Sequence, residues 1–290
     1  MLAGDQIFYA KGLRATLLLA HMTEWDAVGY SRISSLQAAM AQEVLALLDL
    51  NGSERILDVG CGDGKITAEI ASRVPRGSVV GVDPSHDMIE FAEKHFTLTM
   101  PSAAPLRNLR FEVADARRLS FKEEFDLAVS FNALHWIADQ DAALRSIRSA
   151  LVAGGKAQFR LVTAGARQSL ESVVEETRTA PEWEAYFKNF QDPYLRLTPN
   201  EYVAVAERNG FRVLRVNTQD HSWDFGSRAA FAGFCAVGLV AWTDRLPAAE
   251  RQKFVDDVLD RYQSVAATRA GEENMFKFYQ TDVAMTTKSG

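Results

Sequence analysis

The feature that most constrains this sequence is a strand, a glycine-rich turn and a helix in direct succession after Ile56. Residues 56–59 are almost wholly apolar and predict a short buried strand. Glycines at 60, 62 and 64 then allow a sharp turn and a close approach of the backbone to a bound molecule, because no Cβ stands in the way. The helix that follows starts near Asp63 or Lys65, and its unpaired N–H groups face the turn. This segment predicts a nucleotide-like ligand.

The residues around the glycine turn narrow the class of nucleotide. A second predicted strand, Val79 to Val82, ends at Asp83, where a carboxylate can accept hydrogen bonds from both ribose hydroxyls of an adenosine. The spacing is G-x-G-x-G, whereas a dinucleotide fingerprint has G-x-G-x-x-G. Asp58 and Asp63 flank or interrupt the glycines, and such carboxylates repel a pyrophosphate but suit an ammonium and a sulfonium.

This pattern resembles the first motif of the class I S-adenosylmethionine-dependent methyltransferases, and Asp83-Pro84-Ser85 with Met88 resembles their second. The resemblance implies S-adenosyl-L-methionine as cofactor, with S-adenosyl-L-homocysteine as product. It also implies that Asp115, just past a third strand, accepts the adenine amino group, and that the backbone after the fourth strand holds the methionine moiety. The implied cofactor-binding residues are Asp58, Gly60, Cys61, Gly62, Asp83, Pro84, Met88, Asp115, Ala116 and Asn132.

Two of these positions have a simpler structural interpretation from the residues themselves. Asp115 also suits a helix N-cap or a turn, a common place for aspartate. Met88 also suits an ordinary helix core facing the sheet, without any contact to an adenine ring.

Strands that alternate with helices predict an α/β fold with a Rossmann-like, seven-stranded, doubly wound sheet and helical lid insertions. The last strand is expected to be antiparallel, as in the resembled family. The later predicted strands are Leu109 to Val113, Phe125 to Phe131, Lys156 to Val162, Arg212 to Thr218 and Phe276 to Met285. Helices are predicted at Ser35 to Leu48 and at Asp141 to Leu151, the latter stopped by Gly154-Gly155.

The predicted domain organisation is an N-terminal helical segment, residues 1–50, that covers the active site, followed by the methyltransferase core, residues 51–290. Lid insertions are predicted at about 166–197 and 222–272, and both are rich in aromatic residues. In an α/β fold ligands bind at the carboxyl ends of the strands, where such insertions can form a lid. Most of these aromatic side chains are expected to pack the insertions together, with one or two in the acceptor pocket.

The charge, the cysteine content and the apolar runs of the sequence limit which partners and compartments are expected. A formal net charge of -6, without a dense Lys/Arg stripe, argues against nucleic acid as a partner. Two cysteines so far apart in sequence indicate neither a disulfide framework nor a metal cluster. The apolar run from Leu17 to Ala20 is far shorter than a membrane span. These observations predict a cytoplasmic monomer or homodimer with a small-molecule acceptor and no metal.

The acceptor is indicated by a second, narrower resemblance, to the trans-aconitate and insect juvenile hormone acid methyltransferases. It rests on Trp25 to Tyr30, Gln37, residues 199–210, residues 237–262 and the last strand. In the juvenile hormone acid enzymes a glutamine and a tryptophan hold the acceptor carboxylate, and Gln37 and Trp136 stand at matching positions. The resemblance implies acceptor contacts from Trp25 and Tyr30 and predicts O-methylation of a carboxylate.

A carboxylate acceptor needs no general base, because it is already ionised at pH 7. A phenol or carbon acceptor would need one, and His135 is then the best-placed catalytic candidate, although it also suits a structural role beside Trp136. Alternatives therefore remain within the methyltransferases: a carrier-bound acyl group, a phenol or a carbon atom of a quinone or natural-product precursor. Outside them, the sequence leaves a non-catalytic S-adenosylmethionine-binding module and, against its glycine spacing, a nicotinamide oxidoreductase.

Overall fold

The computed structural model describes residues 43–97 and 106–288, and these residues form one seven-stranded sheet with helices on both faces. The sheet has the order β3-β2-β1-β4-β5-β7-β6. Only β7 runs antiparallel to its neighbours, β5 and β6. The strands are β1 Arg55–Val59, β2 Ser78–Asp83, β3 Leu109–Val113, β4 Phe125–Phe131, β5 Leu151–Thr163, β6 Phe211–Asp224 and β7 Met275–Thr287. The predicted fold class, including the antiparallel last strand, is confirmed.

The helices begin where the sequence supplies capping side chains. Ser85, Asp139, Ser169, Thr198 and Ser227 each accept a backbone N–H of the first turn. The described helices are α1 Lys65–Arg73, α2 His86–Phe96, α3 Gln140–Ala150, α4 Leu170–Arg178, α5 Pro199–Arg208, α6 Arg228–Gly238, α7 Val240–Thr243 and α8 Ala248–Ala266. Short 3-10 turns occur at Ala116–Arg118, Leu134–Trp136 and Glu184–Phe187.

Apolar side chains form separate clusters on the two faces of the sheet. One cluster joins the sheet to α3 and α5 and includes Leu57, Phe159 and Ile147. The other joins the opposite face to α1 and α2 and includes Ile56 and Ile70. Because both faces of the central parallel strands are covered, Ile56 and Leu57 are both fully buried, which explains why β1 reads as a continuous apolar run.

A third cluster forms the core of a cap, which we define as residues 166–197 and 225–274. It combines α4, α6, α7 and α8 and contains Trp183, Phe187, Phe231, Trp242 and Phe254. Trp183 donates to Asp257 Oδ2 at 2.8 Å, and Trp242 donates to Glu175 Oε1 at 2.6 Å. Most aromatic side chains of the insertions therefore pack the cap against itself.

Several boundaries differ from those predicted. Gly154 and Gly155 do not end a helix: α3 stops at Ala150, and these glycines lie in an irregular stretch of β5 where the register with β4 shifts. β6 extends to Asp224, so the second insertion becomes helical only at Arg228. Most of the predicted helix Ser35 to Leu48 lies outside the described residues. Of its described part, residues 43–46 are helical. The division into a covering segment and a core stays a prediction.

Among the helices of the described chain, none has the length and apolar character that a membrane crossing requires.

Candidate active site

The candidate site lies between β1 and β4, where the order of the strands changes direction: β2 and β3 lie on one side of β1, and β4 and β5 lie on the other. β1 pairs with β2 on one side and with β4 on the other, all in parallel, so their carboxyl ends open a crevice at one edge. Here the loops after the two strands touch, because a Cβ on Gly60 would overlap the Cβ of Ala133. Packing alone therefore requires glycine at position 60.

The three glycines of the turn have different functions, although all three adopt positive φ angles of 77°, 53° and 78°. A Cβ on Gly64 would come within 2.7 Å of both Ala92 and the ring of Phe111, so this position serves packing. A Cβ on Gly62 would meet nothing within 4 Å. Gly62 is thus the glycine that leaves open space above the turn, as a cradle for a ligand requires.

Asp83 is fixed beside this cradle by backbone donors. Its Oδ2 accepts the N–H of Gly62 at 3.1 Å, and its Oδ1 accepts the N–H of Ser85 at 2.9 Å. The residue is 9% exposed. The arrangement fits a carboxylate held ready for the hydroxyls of a ribose.

Carboxylates also make the surroundings of the turn electronegative. Asp58 is buried and accepts the Thr67 hydroxyl at 2.7 Å. Burial raises the pKa of Asp58 to about 7, the Thr67 hydrogen bond opposes this and the charge of Asp83 adds to it. The pKa of the buried Cys61 thiol is likewise raised, first by burial and then by the charges of Asp83, Asp58 and Asp63. Among the ion pairs of the described residues, none involves Asp58 or Asp63. Such a field fits a cationic ligand.

On the far side of β2, Asp115 follows β3 and caps a 3-10 turn through its contact with the backbone N–H of Arg117 at 2.9 Å. The turn-forming role considered from the sequence is therefore present, and an adenine-binding role remains compatible with it. Ala116 is buried.

Met88 is 3% exposed, yet it belongs to none of the three apolar clusters of the described residues. Its burial in α2 is compatible with both interpretations of Met88, and its contact with adenine stays a prediction.

After β4 the chain adopts an unusual conformation at Asn132, a non-glycine residue with a φ of 57°. Its backbone N–H donates to the carbonyl of Arg160 at 2.9 Å, which anchors the loop to β5. Its side-chain Oδ1 is buried without a hydrogen-bond partner among the described residues. A buried acceptor of this kind fits an N–H donor of a bound ligand.

His135 and Trp136, the predicted acceptor-side residues, occupy different environments. His135 is 5% exposed, and its Nδ1 accepts the N–H of Val162 at 3.2 Å. Burial lowers the pKa of His135 to about 3, so the imidazole is neutral at physiological pH. Trp136 lies at the edge of the cap, where its ring packs edge-on against Tyr194 at 4.9 Å and against Trp242 at 6.0 Å.

The other acceptor-side candidates, Gln37, Trp25 and Tyr30, lie outside the described residues and stay predictions. Conversely, the structure brings forward residues that the sequence did not single out: Thr67, which binds Asp58, and Tyr194, which is 6% exposed and packs against both His135 and Trp136. Thr67 could have been found from its position in the first turn of α1, on the face towards β1. Tyr194 had no such signal, because only the tertiary fold brings it to Trp136.

Comparison with known proteins identifies methyltransferases among the proteins similar to this chain. A methyltransferase domain family matches residues 56–155. The 235L protein of Invertebrate iridescent virus 6, which bears a methyltransferase name, is 25% identical over 85% of this chain and 88% of its own. Trans-aconitate 2-methyltransferase of Deinococcus radiodurans is 32% identical over 50% of this chain and 56% of its own. Malonyl-[acyl-carrier protein] O-methyltransferase of Geobacter sulfurreducens is 29% identical over 67% of this chain and 70% of its own.

The solved structures support the same fold. YcgJ of Bacillus subtilis has a TM-score of 0.59 with 17% identity, covering 87% of this chain and all of that one. Phosphoethanolamine N-methyltransferase 2 of Haemonchus contortus, solved with S-adenosyl-L-methionine, has a TM-score of 0.57 with 16% identity, covering 97% of this chain and 62% of that one.

The matched domain and the names of the relatives support a class I S-adenosylmethionine-dependent methyltransferase, and the seven-stranded fold agrees with it. The domain and these names likewise support an enzyme that uses S-adenosyl-L-methionine as its cofactor. The residues around the turn fit that cofactor, because Gly62 leaves space for it and the neighbouring carboxylates suit its positive charge. The similarity to the trans-aconitate methyltransferase covers only about half of this chain and about half of that protein.

Proposed function

We propose that this enzyme transfers the methyl group of S-adenosylmethionine to a carboxylate oxygen of a small organic acid. The observation that carries the proposal is the state of His135, the best-placed base for an acceptor that must lose a proton. It is buried, its Nδ1 is occupied by the N–H of Val162, and its pKa is lowered to about 3 by burial. An imidazole in this state is a poor proton acceptor at neutral pH.

An acceptor that is already an anion removes the need for that base. A carboxylic acid with an ordinary pKa near 4 is fully ionised at pH 7 and can attack a methyl group directly. Bound S-adenosylmethionine supplies that methyl group on a sulfonium. The protein then has to align the acceptor with it and exclude water, which the aromatic surroundings of Trp136 suit.

We assign the alignment to Gln37 and Trp136, with Trp25 and Tyr30 as further acceptor contacts and residues 1–50 as the segment that covers them. The amide and indole N–H groups are neutral donors, which orient a carboxylate without neutralising it. In the cofactor half we assign Asp83 to the ribose, Asp115 and Ala116 to the adenine edge, and Asn132 to the methionine moiety.

The relatives support an acid acceptor, since two of them are named for aconitate and for a carrier-bound malonyl group. The net charge of -6 and the absence of a dense basic stripe favour a small acid over a nucleic acid.

The test is to incubate the purified enzyme with methyl-labelled S-adenosylmethionine and a panel of small acids, phenols and activated carbon acids, and to locate the label by mass spectrometry. We expect labelled methyl esters that are released by mild alkali. With saturating cofactor, the turnover rate should stay nearly flat between pH 6 and 9, because a carboxylate does not change its protonation there. Label on a phenol or on carbon would contradict the proposal while leaving methyl transfer intact.

Variants separate the acceptor from the cofactor. Gln37→Ala and Trp136→Ala should each lower turnover strongly and leave the affinity for S-adenosylmethionine within a few-fold, since only the alignment of the acceptor is lost. His135→Ala should have a mild effect on turnover. A rate that falls steeply below pH 7 and collapses in His135→Ala would instead indicate a base-dependent acceptor.

A further inference from the structure

The environment of Asp115 contains a contact that bears directly on adenine binding. Arg117 Nε lies 2.9 Å from Oδ1 and 3.0 Å from Oδ2 of Asp115, and Arg117 Nη2 lies 2.7 Å from Oδ2. The backbone N–H of Arg117 adds a contact to Oδ1 at 2.9 Å. A carboxylate accepts about four hydrogen bonds, and three N–H groups of Arg117, one of them shared between both oxygens, occupy most of these positions on Asp115.

We propose that Arg117 competes with the adenine amino group of the cofactor for Asp115, and that its guanidinium moves off the carboxylate when the cofactor binds. This proposal depends on the role of Asp115 as the acceptor of that amino group, which we assigned above. Arg117 is then a further residue of the cofactor site that lowers the affinity instead of raising it.

The two partners differ in their freedom to move. The side chain of Asp115 is 9% exposed and remains fixed by the backbone N–H of Arg117, whereas the side chain of Arg117 is 45% exposed. Asp139, at the start of α3, also attracts the guanidinium and offers it a second carboxylate. Exchange of a partly exposed ion pair for another donor changes the free energy only slightly, so the competition is modest and reversible.

The charge of Asp115 survives the exchange. Burial acts to raise the pKa of Asp115, but the hydrogen bonds from Arg117 outweigh it and hold the pKa below its ordinary value. Arg118 also contributes, with its Nε 3.6 Å from Oδ2. At neutral pH the carboxylate is therefore an anion that accepts from whichever N–H donor is present.

The experiment measures the binding of S-adenosylhomocysteine by calorimetry to the wild type, to Arg117→Met and to the matched control Arg118→Met. Arg118 carries the same charge near the same oxygen, but it is too distant for a hydrogen bond. We expect Arg117→Met to bind about two- to fivefold more tightly, which corresponds to the strength of a surface ion pair, and Arg118→Met to match the wild type. In the wild type, raising the salt from 50 to 500 mM should increase the affinity about twofold by screening the ion pair, and this increase should be absent in Arg117→Met.

The analogue of S-adenosylhomocysteine with unsubstituted purine in place of adenine lacks the amino group and has no N–H on that ring, so it isolates the contact. It cannot donate to Asp115, so Arg117→Met should bring no gain with this ligand. Equal or weaker binding of S-adenosylhomocysteine to Arg117→Met would overturn the competition, since it would make Arg117 a neutral or a supporting neighbour. If Asp115→Ala leaves the affinity for S-adenosylhomocysteine unchanged, the assignment of Asp115 to the adenine fails first, and with it the premise of this proposal. Thermal unfolding of each variant checks that it is folded.

Discussion

The cofactor half and the cap of this enzyme are held together in contrasting ways. Around the glycine turn, buried polar groups are fixed by partners close in sequence: Thr67 binds Asp58 nine residues away, and Gly62 binds Asp83 21 residues away. In the cap, buried aromatic rings are fixed by partners far away: Trp242 binds Glu175 across 67 residues, and Trp183 binds Asp257 across 74.

This contrast coincides with the extent of the matched family domain. The matched family domain covers residues 56–155, which includes the turn and the loop after β4 but stops before the cap. A cradle for one invariable cofactor needs particular residues at fixed spacing, whereas a cap only needs enough apolar area to enclose a core.

The largest expected effect comes from Gly62→Val. The positive φ of 53° disfavours a β-branched residue, and the new side chain would occupy the open space above the turn. We expect S-adenosylhomocysteine binding to be abolished in calorimetry. Gly226→Val is the matched control in the cap, because Gly226 also has a positive φ, of 70°, and also has no atom near its missing Cβ. It should lose stability but keep its affinity, and equal losses of affinity would show that backbone strain alone is responsible.

Trp242→Ala tests the cap. Trp242 is fully buried and donates to Glu175, so we expect the free energy of unfolding to fall by about 3–5 kcal/mol in urea titrations. In the fraction that remains folded, the affinity for S-adenosylhomocysteine should stay within about threefold. A large loss of that affinity would mean that the cap and the cofactor half are one energetic unit, contrary to the contrast drawn above.

Asp83→Ala should have a smaller effect, confined to the cofactor. Loss of charge-assisted hydrogen bonds to the ribose should weaken S-adenosylhomocysteine binding by about 2–4 kcal/mol. Asp126→Ala is the control, because Asp126 pairs with Arg55 on the surface at the opposite end of the strands. An unchanged dissociation constant in folded Asp83→Ala would remove Asp83 from the site.

The same contrast determines how much the sequence could predict. The strands, the glycine turn and the positions of Asp58, Asp83 and Asp115 follow from local pattern and spacing, and the fold class was confirmed. The sequence could not divide the glycines into those that serve packing, at 60 and 64, and the one that faces open space, because Ala133 and Phe111 reach them only in the folded sheet. It also missed Tyr194 beside Trp136 and the occupation of Asp115 by Arg117, since both depend on side-chain geometry.

The smallest effect concerns pH and arises from Asp58. Its pKa is raised to about 7, first by burial and further by the charge of Asp83, against the Thr67 hydrogen bond. Above that pH the carboxylate is ionised and attracts the sulfonium of S-adenosylmethionine, which S-adenosylhomocysteine lacks. The ratio of the two affinities should therefore shift towards S-adenosylmethionine by about three- to tenfold between pH 6 and 8. Using the ratio cancels the titration of the amino group that both ligands share.

The free energy of unfolding of the cofactor-free enzyme should fall as the pH rises, whereas the relative affinity for S-adenosylmethionine rises. Because the folded protein holds a proton on Asp58 that the unfolded chain releases above its ordinary pKa of 3.8, folding is favoured at low pH and loses this contribution as the pH rises towards about 7. Asp58→Asn resembles the protonated form, so it should melt at a higher temperature than the wild type at pH 8 and at nearly the same temperature at pH 4. The same variant should show a ratio of affinities that no longer depends on pH. If Asp58→Asn instead melts lower than the wild type at pH 8, the carboxylate is stabilising as an anion, and the electronegative cradle is supported by contacts that outweigh its burial.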